Sequence, residues 1–227
     1  MKQTDLTHNP PTPNARLHGG IREAATGDLA GIVGVHKRAF SEFFLTRLGS
    51  EFLHRYYRLV LDYDSGIMLV GEASGTIEGF VCGFVDPAAF YRFMWLSRRT
   101  FLRPVLSALI RRPSLAAGVL RGVQHIQTSA SLKPAESCEL SSIAVAPEAG
   151  AAGLGSALIK AFLEQAWRLD AKHVYLTTDA DGNTAANALY HKAGFQHEER
   201  FLQRKGRWMN SYLIHRTPAD DISGSPS

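Results

Sequence analysis

The run Ile143-Ala144-Val145-Ala146-Pro147-Glu148-Ala149-Gly150-Ala151-Ala152-Gly153-Leu154-Gly155-Ser156 constrains this chain more than any other part of it. An apolar, β-forming stretch enters a turn of glycine and alanine. Beyond the turn, Leu158, Ile159, Phe162 and Leu163 recur at helical spacing, which predicts a helix from about Leu154 to Leu169. The first turn of a helix leaves backbone N–H groups without partners, and glycines let another group approach that backbone closely. Such a strand–turn–helix unit can cradle an anion, with about 0.3–1 kcal/mol from the helix end. It can equally be a packing turn. No Lys-Ser or Lys-Thr follows the last glycine, and the G-x-G-x-x-G spacing is absent, so neither a Walker loop nor a dinucleotide fingerprint is present.

The rest of the chain alternates between the two periodicities. Ile21 to Glu23 reads as a strand, and Asp28 to Phe40 and Ser50 to Leu61 as helices, the second with Ser50 as its expected cap. Ile67 to Glu72 and Ile77 to Val85 form an expected hairpin around Ser74-Gly75. Strands at Cys138 to Val145 and His173 to Thr178, a helix from Asn183 to Ala193, and two strands joined at Lys205-Gly206 follow. This order predicts an α/β fold, a mixed sheet with helices on its faces.

With 45% apolar and 20% charged residues in 227, one domain over 19–216 is expected, with polar tails at 1–18 and 217–227. Cys82 and Cys138 are the only cysteines, too few for a disulfide framework and without zinc-site spacing. That usage, with no signal peptide and no membrane span, predicts a cytoplasmic protein. A net charge of +4 suits phosphate-bearing ligands but is too small to argue for nucleic acid. No metal site is expected.

A second segment, Asn183-Thr184-Ala185-Ala186-Asn187-Ala188-Leu189-Tyr190-His191-Lys192-Ala193-Gly194-Phe195, bears on the first. Together the two resemble the GNAT N-acetyltransferase superfamily. They match its Ile-Ala-Val-x-Pro strand end, its G-x-G turn and its N-x-x-A-x-x-L-Y-x-K-x-G-F helix. The match covers the C-terminal half well, and the N-terminal half agrees in the order of its elements. The resemblance implies a mostly antiparallel sheet whose two central parallel strands splay apart. Acetyl-CoA would enter between Cys138 to Val145 and His173 to Thr178. Its pantetheine arm would pair with the backbone of Ile143, Ala144 and Val145, and with Asn183, which is also an expected helix cap. The pyrophosphate would sit on Ala151, Ala152, Gly153, Leu154, Gly155 and Ser156. Gly150 stands where the family usually has Arg or Gln. Either the backbone groups suffice there, or an arginine from elsewhere completes the site.

The chemistry implied is attack by an amine on a thioester carbonyl, so negative charge grows on the carbonyl oxygen and then on the leaving sulfur. The resemblance assigns the oxygen to a backbone N–H near Val145 and the sulfur to Tyr190. An ordinary phenol, near 10, lies above a thiol near 8.5, so full proton transfer runs uphill by about 2 kcal/mol and Tyr190 reads mainly as a hydrogen-bond donor. The attacking amine must be neutral, which calls for a base. Glu139, on a strand lining the cleft, is the first candidate, followed by Asp179 and His191. The expected acceptor is a primary amine, either a small amine or a nucleotide-linked amino sugar, and the sequence does not choose between them. Phe43, Phe44 and Leu45 fall where the family often shapes its acceptor pocket, and apolar residues there could equally belong to the core. A non-catalytic CoA-binding or membrane-associated regulator is the rival reading, against which Tyr190 speaks.

Between Pro87 and Ala135 there is no Asp or Glu, yet there are Arg92, Arg98, Arg99, Arg103, Arg111, Arg112, Arg121 and Lys133. A structureless stretch of this length is uncommon in a compact domain. Leu102, Val105, Leu106, Leu109 and Ile110 predict one helix starting at Arg103-Pro104, and Leu115, Val119, Leu120 and Val123 another. The favoured reading is a basic helical insert whose apolar stripe covers the acceptor side of the core. A membrane-surface contact and a homodimer contact are the alternatives.

Overall fold

A computed structural model describes residues 20–41, 43–120, 122, 136–149, 153–203 and 206–217. Both expected tails, except Thr217, lie outside these residues, as do Gly150, Ala151, Ala152, Val123 and Lys205. Seven strands form one sheet in the order β1-β2-β3-β4-β5-β7-β6. They are β1 (Ile21–Glu23), β2 (Gly66–Ala73), β3 (Thr76–Val85), β4 (Ser137–Val145), β5 (His173–Asp179), β6 (Gln196–Gln203) and β7 (Arg207–His215). All neighbouring pairs are antiparallel except β4 with β5.

The hairpin β2–β3 turns where the sequence places it. Ser74 and Gly75, at φ 50° and 78°, are both left-handed, the twist a two-residue hairpin turn requires. β2 and β3 are buried on both faces. Met68, Val70, Phe80, Cys82 and Phe84 point into one layer, while Ile67, Leu69, Val81 and Val85 point into the other. Helices α1 (Leu29–Ala39), α3 (Ser50–Leu61) and α4 (Pro87–Leu96) cover the first face, with the short α2 (Phe44–Leu48) between α1 and α3. Cys82 and Cys138 fall on opposite faces and are both free.

The other face is covered by α7 (Leu154–Arg168), which buries Leu158, Ile159, Ala161, Phe162, Ala166 and Trp167. Helix α8 (Thr184–Lys192) follows β5. Between α4 and β4 stand α5 (Leu102–Arg111) and a helical segment α6 at 116–120.

Three local expectations change. Ser50 is the first helical residue rather than the cap: Gly49 precedes it at φ 100° with no side-chain capping bond, and Ser50 Oγ accepts from Lys37 Nζ at 3.1 Å. Helix α4 was not anticipated, although Asp86-Pro87 encodes it. The Asp86 carboxylate accepts from Ala89 N at 2.9 Å, and Pro87 occupies the first turn, where a missing N–H is harmless. In α5 the apolar stripe divides. Ala108 and Leu109 pack onto Leu48, Leu115, Phe44 and Phe52, but Leu102, Leu106 and Ile110 are exposed.

Candidate functional site

β4 and β5 pair only from Ser137–His173 to Glu139–Tyr175. Beyond that point each strand keeps its other neighbour. β4 stays bonded to β3, and β5 is paired with β7 along its whole length. The register of β4 against β3 shifts, Cys82 facing Ser142 and Gly83 facing Leu140, so Ser141 is an extra residue in a bulge. A bulge bends its strand, here at the point where β4 leaves β5.

The resulting cleft holds about 490 Å³. Leu140 to Val145 form one wall and Leu176 to Asp179 the other, with Gly155, Asn183, Ala186, Leu189 and Tyr190 closing one side. Between the walls run two strand edges that do not pair with each other, with backbone groups available to an extended, amide-bearing ligand.

The glycine turn meets this cleft. Gly153 caps α7 at φ 79°, a conformation that a side chain strains. A Cβ on Gly155 would approach Leu189 Cδ2 to 3.2 Å and Val145 Cγ2 to 3.8 Å, so its bareness lets the helix start lie against α8 and β4. Leu154 points into the core, and Ser156 opens onto a second groove of about 1240 Å³ between α7 and α8, lined also by Lys160, Arg168 and Lys192. That groove is larger, but the strand ends and Tyr190 belong to the cleft.

Tyr190 is buried against Phe195 and Tyr212, and burial raises its phenol well above the ordinary value. It therefore stays protonated. Asn183 stands at the first position before α8, but its side chain makes no capping bond; Nδ2 donates to Thr178 Oγ1 at 2.7 Å. The stabilising asparagine is Asn187. Its Nδ2 donates to the carbonyls of Asp179 and Asn183 at 3.0 and 2.8 Å, and its Oδ1 accepts from Asn210 and Tyr212 at 3.0 and 2.8 Å.

The three candidate bases separate. Glu139 lies in the paired part of β4, below the cleft wall, and accepts from Tyr175 at 2.7 Å and from Tyr91 at 3.0 Å. Both phenols are raised by burial and stay protonated. Asp179 lines the cleft but is held by Arg207 through contacts of 2.6 Å to both of its oxygens. His191 packs on Tyr212, with 3.3 Å between Nε2 and the hydroxyl, outside the cleft wall.

Opposite Tyr190's side stand Phe40, Phe43, Phe44 and Leu45, and the Arg207 guanidinium covers the Phe43 ring at 5.3 Å. Here lies a group the sequence reading passed over. His36, only 3% exposed, lines the cleft from α1. Its Nδ1 bonds to the Tyr57 hydroxyl, and its Nε2 is buried without a partner among the described residues. Burial depresses its pKa to about 4, so the ring is neutral near pH 7. The available signal was a titratable residue on the buried side of an otherwise apolar helix.

The sequence profile of the acetyltransferase (GNAT) family matches residues 109–195. Among solved structures, the ribosomal-protein-S18-alanine N-acetyltransferase of Escherichia coli is 15% identical with a TM-score of 0.54, over 86% of this chain and 92% of that one. The ribosomal-protein-alanine N-acetyltransferase of Brucella melitensis is 19% identical, TM-score 0.56, over 86% and 98%. The yncA protein of Salmonella typhimurium, solved with its cofactor acetyl-CoA, is 17% identical, TM-score 0.54, over 86% and 94%. At these identities the likeness is one of fold. No curated protein matches the sequence.

The state of His36 is measurable. Between pH 6.5 and about 4 the unfolded chain binds a proton that the folded chain refuses, so this group lowers stability by about 1.4 kcal/mol for each unit by which pH is lowered. His36→Gln should lose that slope. Urea unfolding of both proteins across the range checks this, and parallel curves would show that His36 titrates normally in the fold.

Proposed function

We propose, from the premise that this chain carries a GNAT acetyltransferase domain, that it moves an acetyl group from acetyl-CoA to a small primary amine by direct attack within the β4–β5 cleft. One observation carries the reading: unpaired edges of two parallel strands meet a glycine-started helix with a buried tyrosine beside them. Those features suit the donor. An extended pantetheine arm, with its two amides, can pair with the backbone at Ile143, Ala144 and Val145 and reach Asn183. Phosphates suit the N–H groups of Ala151, Ala152, Gly153, Leu154, Gly155 and Ser156. Lys160 and Lys192, in the groove onto which Ser156 opens, supply the positive charge that Gly150 lacks.

The residues of the chain then divide the work. A backbone N–H near Val145 faces the carbonyl oxygen. The Tyr190 hydroxyl, kept protonated by burial, donates toward the leaving sulfur. Burial makes full proton transfer from Tyr190 harder than it is for an ordinary phenol, which supports its role as a donor. The acceptor side is largely apolar, with His36 in its lining and the Asp179–Arg207 pair at its rim. His36, kept neutral by burial and bonded through Nδ1 to the Tyr57 hydroxyl, backs this wall without adding a charge to it. Glu139, beneath the cleft wall, takes the amine proton through water or a tyrosine hydroxyl.

CoA should raise the melting temperature, because these contacts exist only in the fold, by about 2.7 kcal/mol of stability at a hundredfold excess over Kd. Gly153→Val, strained at its positive φ, should lose most of the shift; an undiminished shift would place the phosphates elsewhere. Tyr190→Phe should lower kcat by about tenfold or more while CoA affinity holds, and wild-type turnover would remove its role. In Glu139→Gln the alkaline-rising limb of kcat/KM for the amine should flatten. An unaltered limb would pass the base role to another group.

A further inference from the structure

The outer side of α5 is unusual for a helix seated on a soluble domain. Leu102, Leu106 and Ile110, spaced i, i+4 and i+8, share one face and are 62%, 60% and 74% exposed. On the adjoining arc stand Arg103, Ser107 and Arg111 at the same spacing, also exposed. The inner side is already satisfied, with Pro104 and Ala108 buried and Leu109 packed onto the cluster of Leu48 and Leu115. The exposed leucines are therefore not needed to hold the helix in place. A solvent-facing arc is normally polar, and burying these side chains would gain roughly 1.5–3 kcal/mol each.

Charge says what could cover this face. No Asp or Glu occurs between Pro87 and Ala135, while Arg98, Arg99 and Arg112 add to Arg103 and Arg111. Leu96 and Leu120 are also 76% and 60% exposed, and the Arg98 guanidinium lies 4.8 Å from the Trp95 ring centre. A second copy of the chain would set these arginines against each other with no acid in the segment to pair them. A nucleic acid would match the arginines and leave the leucines wet. A surface that is apolar just below a layer of anionic phosphates matches both arcs at once.

We infer that α5 is a docking face for an anionic lipid bilayer. Leu102, Leu106 and Ile110 enter the acyl boundary, and Arg103 and Arg111 reach the lipid phosphates. The helix lies along the surface rather than through it: among the described residues no helix is long and apolar enough to cross a membrane. The same helix packs through its inner side near Phe44 and Leu45 of the cleft wall, so the covering role expected from the sequence belongs to that side. The docking face does not depend on the acetyl-transfer reading.

The test uses the full chain and sedimentation with vesicles, without amine or CoA. The wild-type protein should pellet with vesicles of equimolar phosphatidylcholine and phosphatidylglycerol, and stay in solution with phosphatidylcholine alone. Leu106→Asp with Ile110→Asp should lower the partition coefficient by about tenfold or more, as should Arg103→Gln with Arg111→Gln, and added salt should weaken wild-type binding. All four side chains are exposed, so thermal unfolding and the CoA-induced shift should be unchanged in both variants. No wild-type binding to the anionic vesicles overturns the inference, as does binding that the Leu106→Asp, Ile110→Asp pair leaves intact. It is also overturned by a wild-type dimer in sedimentation velocity that the same pair dissolves while lipid binding is absent, since a second copy then covers the face.

Discussion

The early end of the β4–β5 pairing, after Glu139 and Tyr175, is the constraint on which the site depends. Two parallel strands inside a sheet normally satisfy each other along their length, because unpaired backbone groups away from water are costly. Here β5 is held straight by β7, while the Ser141 bulge lets β4 follow β3 in another direction. The gap must be filled from both ends. α8 closes it with Leu189 and Tyr190, and Asn187 fastens that helix to β5 and β7 through three hydrogen bonds, with a fourth to the Asn183 carbonyl at the start of the helix itself. α7 begins against the same gap because Gly155 carries no side chain to hold it away from Leu189.

Burial around the cleft drives ionisable groups toward their neutral forms. His36 is depressed, Tyr57 and Tyr190 are raised, and the Cys82 thiol is pushed up to about 12, in each case first by desolvation. At the rim Asp179 and Arg207 form an ion pair at 2.6 Å. A neutral interior suits a reaction between an uncharged amine and a thioester, since fixed dipoles act strongly where water is scarce. Polar groups line the cleft at Ser141, Ser142, Thr177, Thr178 and Asn183 as well as at His36 and Tyr190, and His36 Nε2 has no partner among the described residues.

The basic segment shows how a single helix can serve two surfaces. Ala108 and Leu109 of α5 pack on the short α2 and the start of α3, and Phe44 and Leu45 of α2 line the cleft. Its outward leucines contribute nothing to that packing. An apolar residue kept where folding does not require it points to a requirement outside the fold.

From the sequence alone, the strand–turn–helix at Ile143 to Ser156, the hairpin at Ser74-Gly75 and the spans of α1, α7 and α8 were legible to within a residue or two. Their signals are local: periodicity, positive-φ turns and a glycine-started helix. Helix α4 was not anticipated: Asp86-Pro87 encodes its start, but the apolar run around it hid the signal. Four things were decided only by tertiary structure. Glu139 was placed below the cleft rather than in its wall, because strand pairing, not residue type, sets where the opening begins. Asn183 and Asn187 differ in role because only the second faces β7, a strand more than twenty residues further on. His36 became part of the site when Tyr57 and Phe80 packed around it, since one apolar helix face does not reveal which neighbours will desolvate it. The solvent exposure of Leu102, Leu106 and Ile110 belongs with these, because a helical stripe specifies a face and only packing specifies what that face meets.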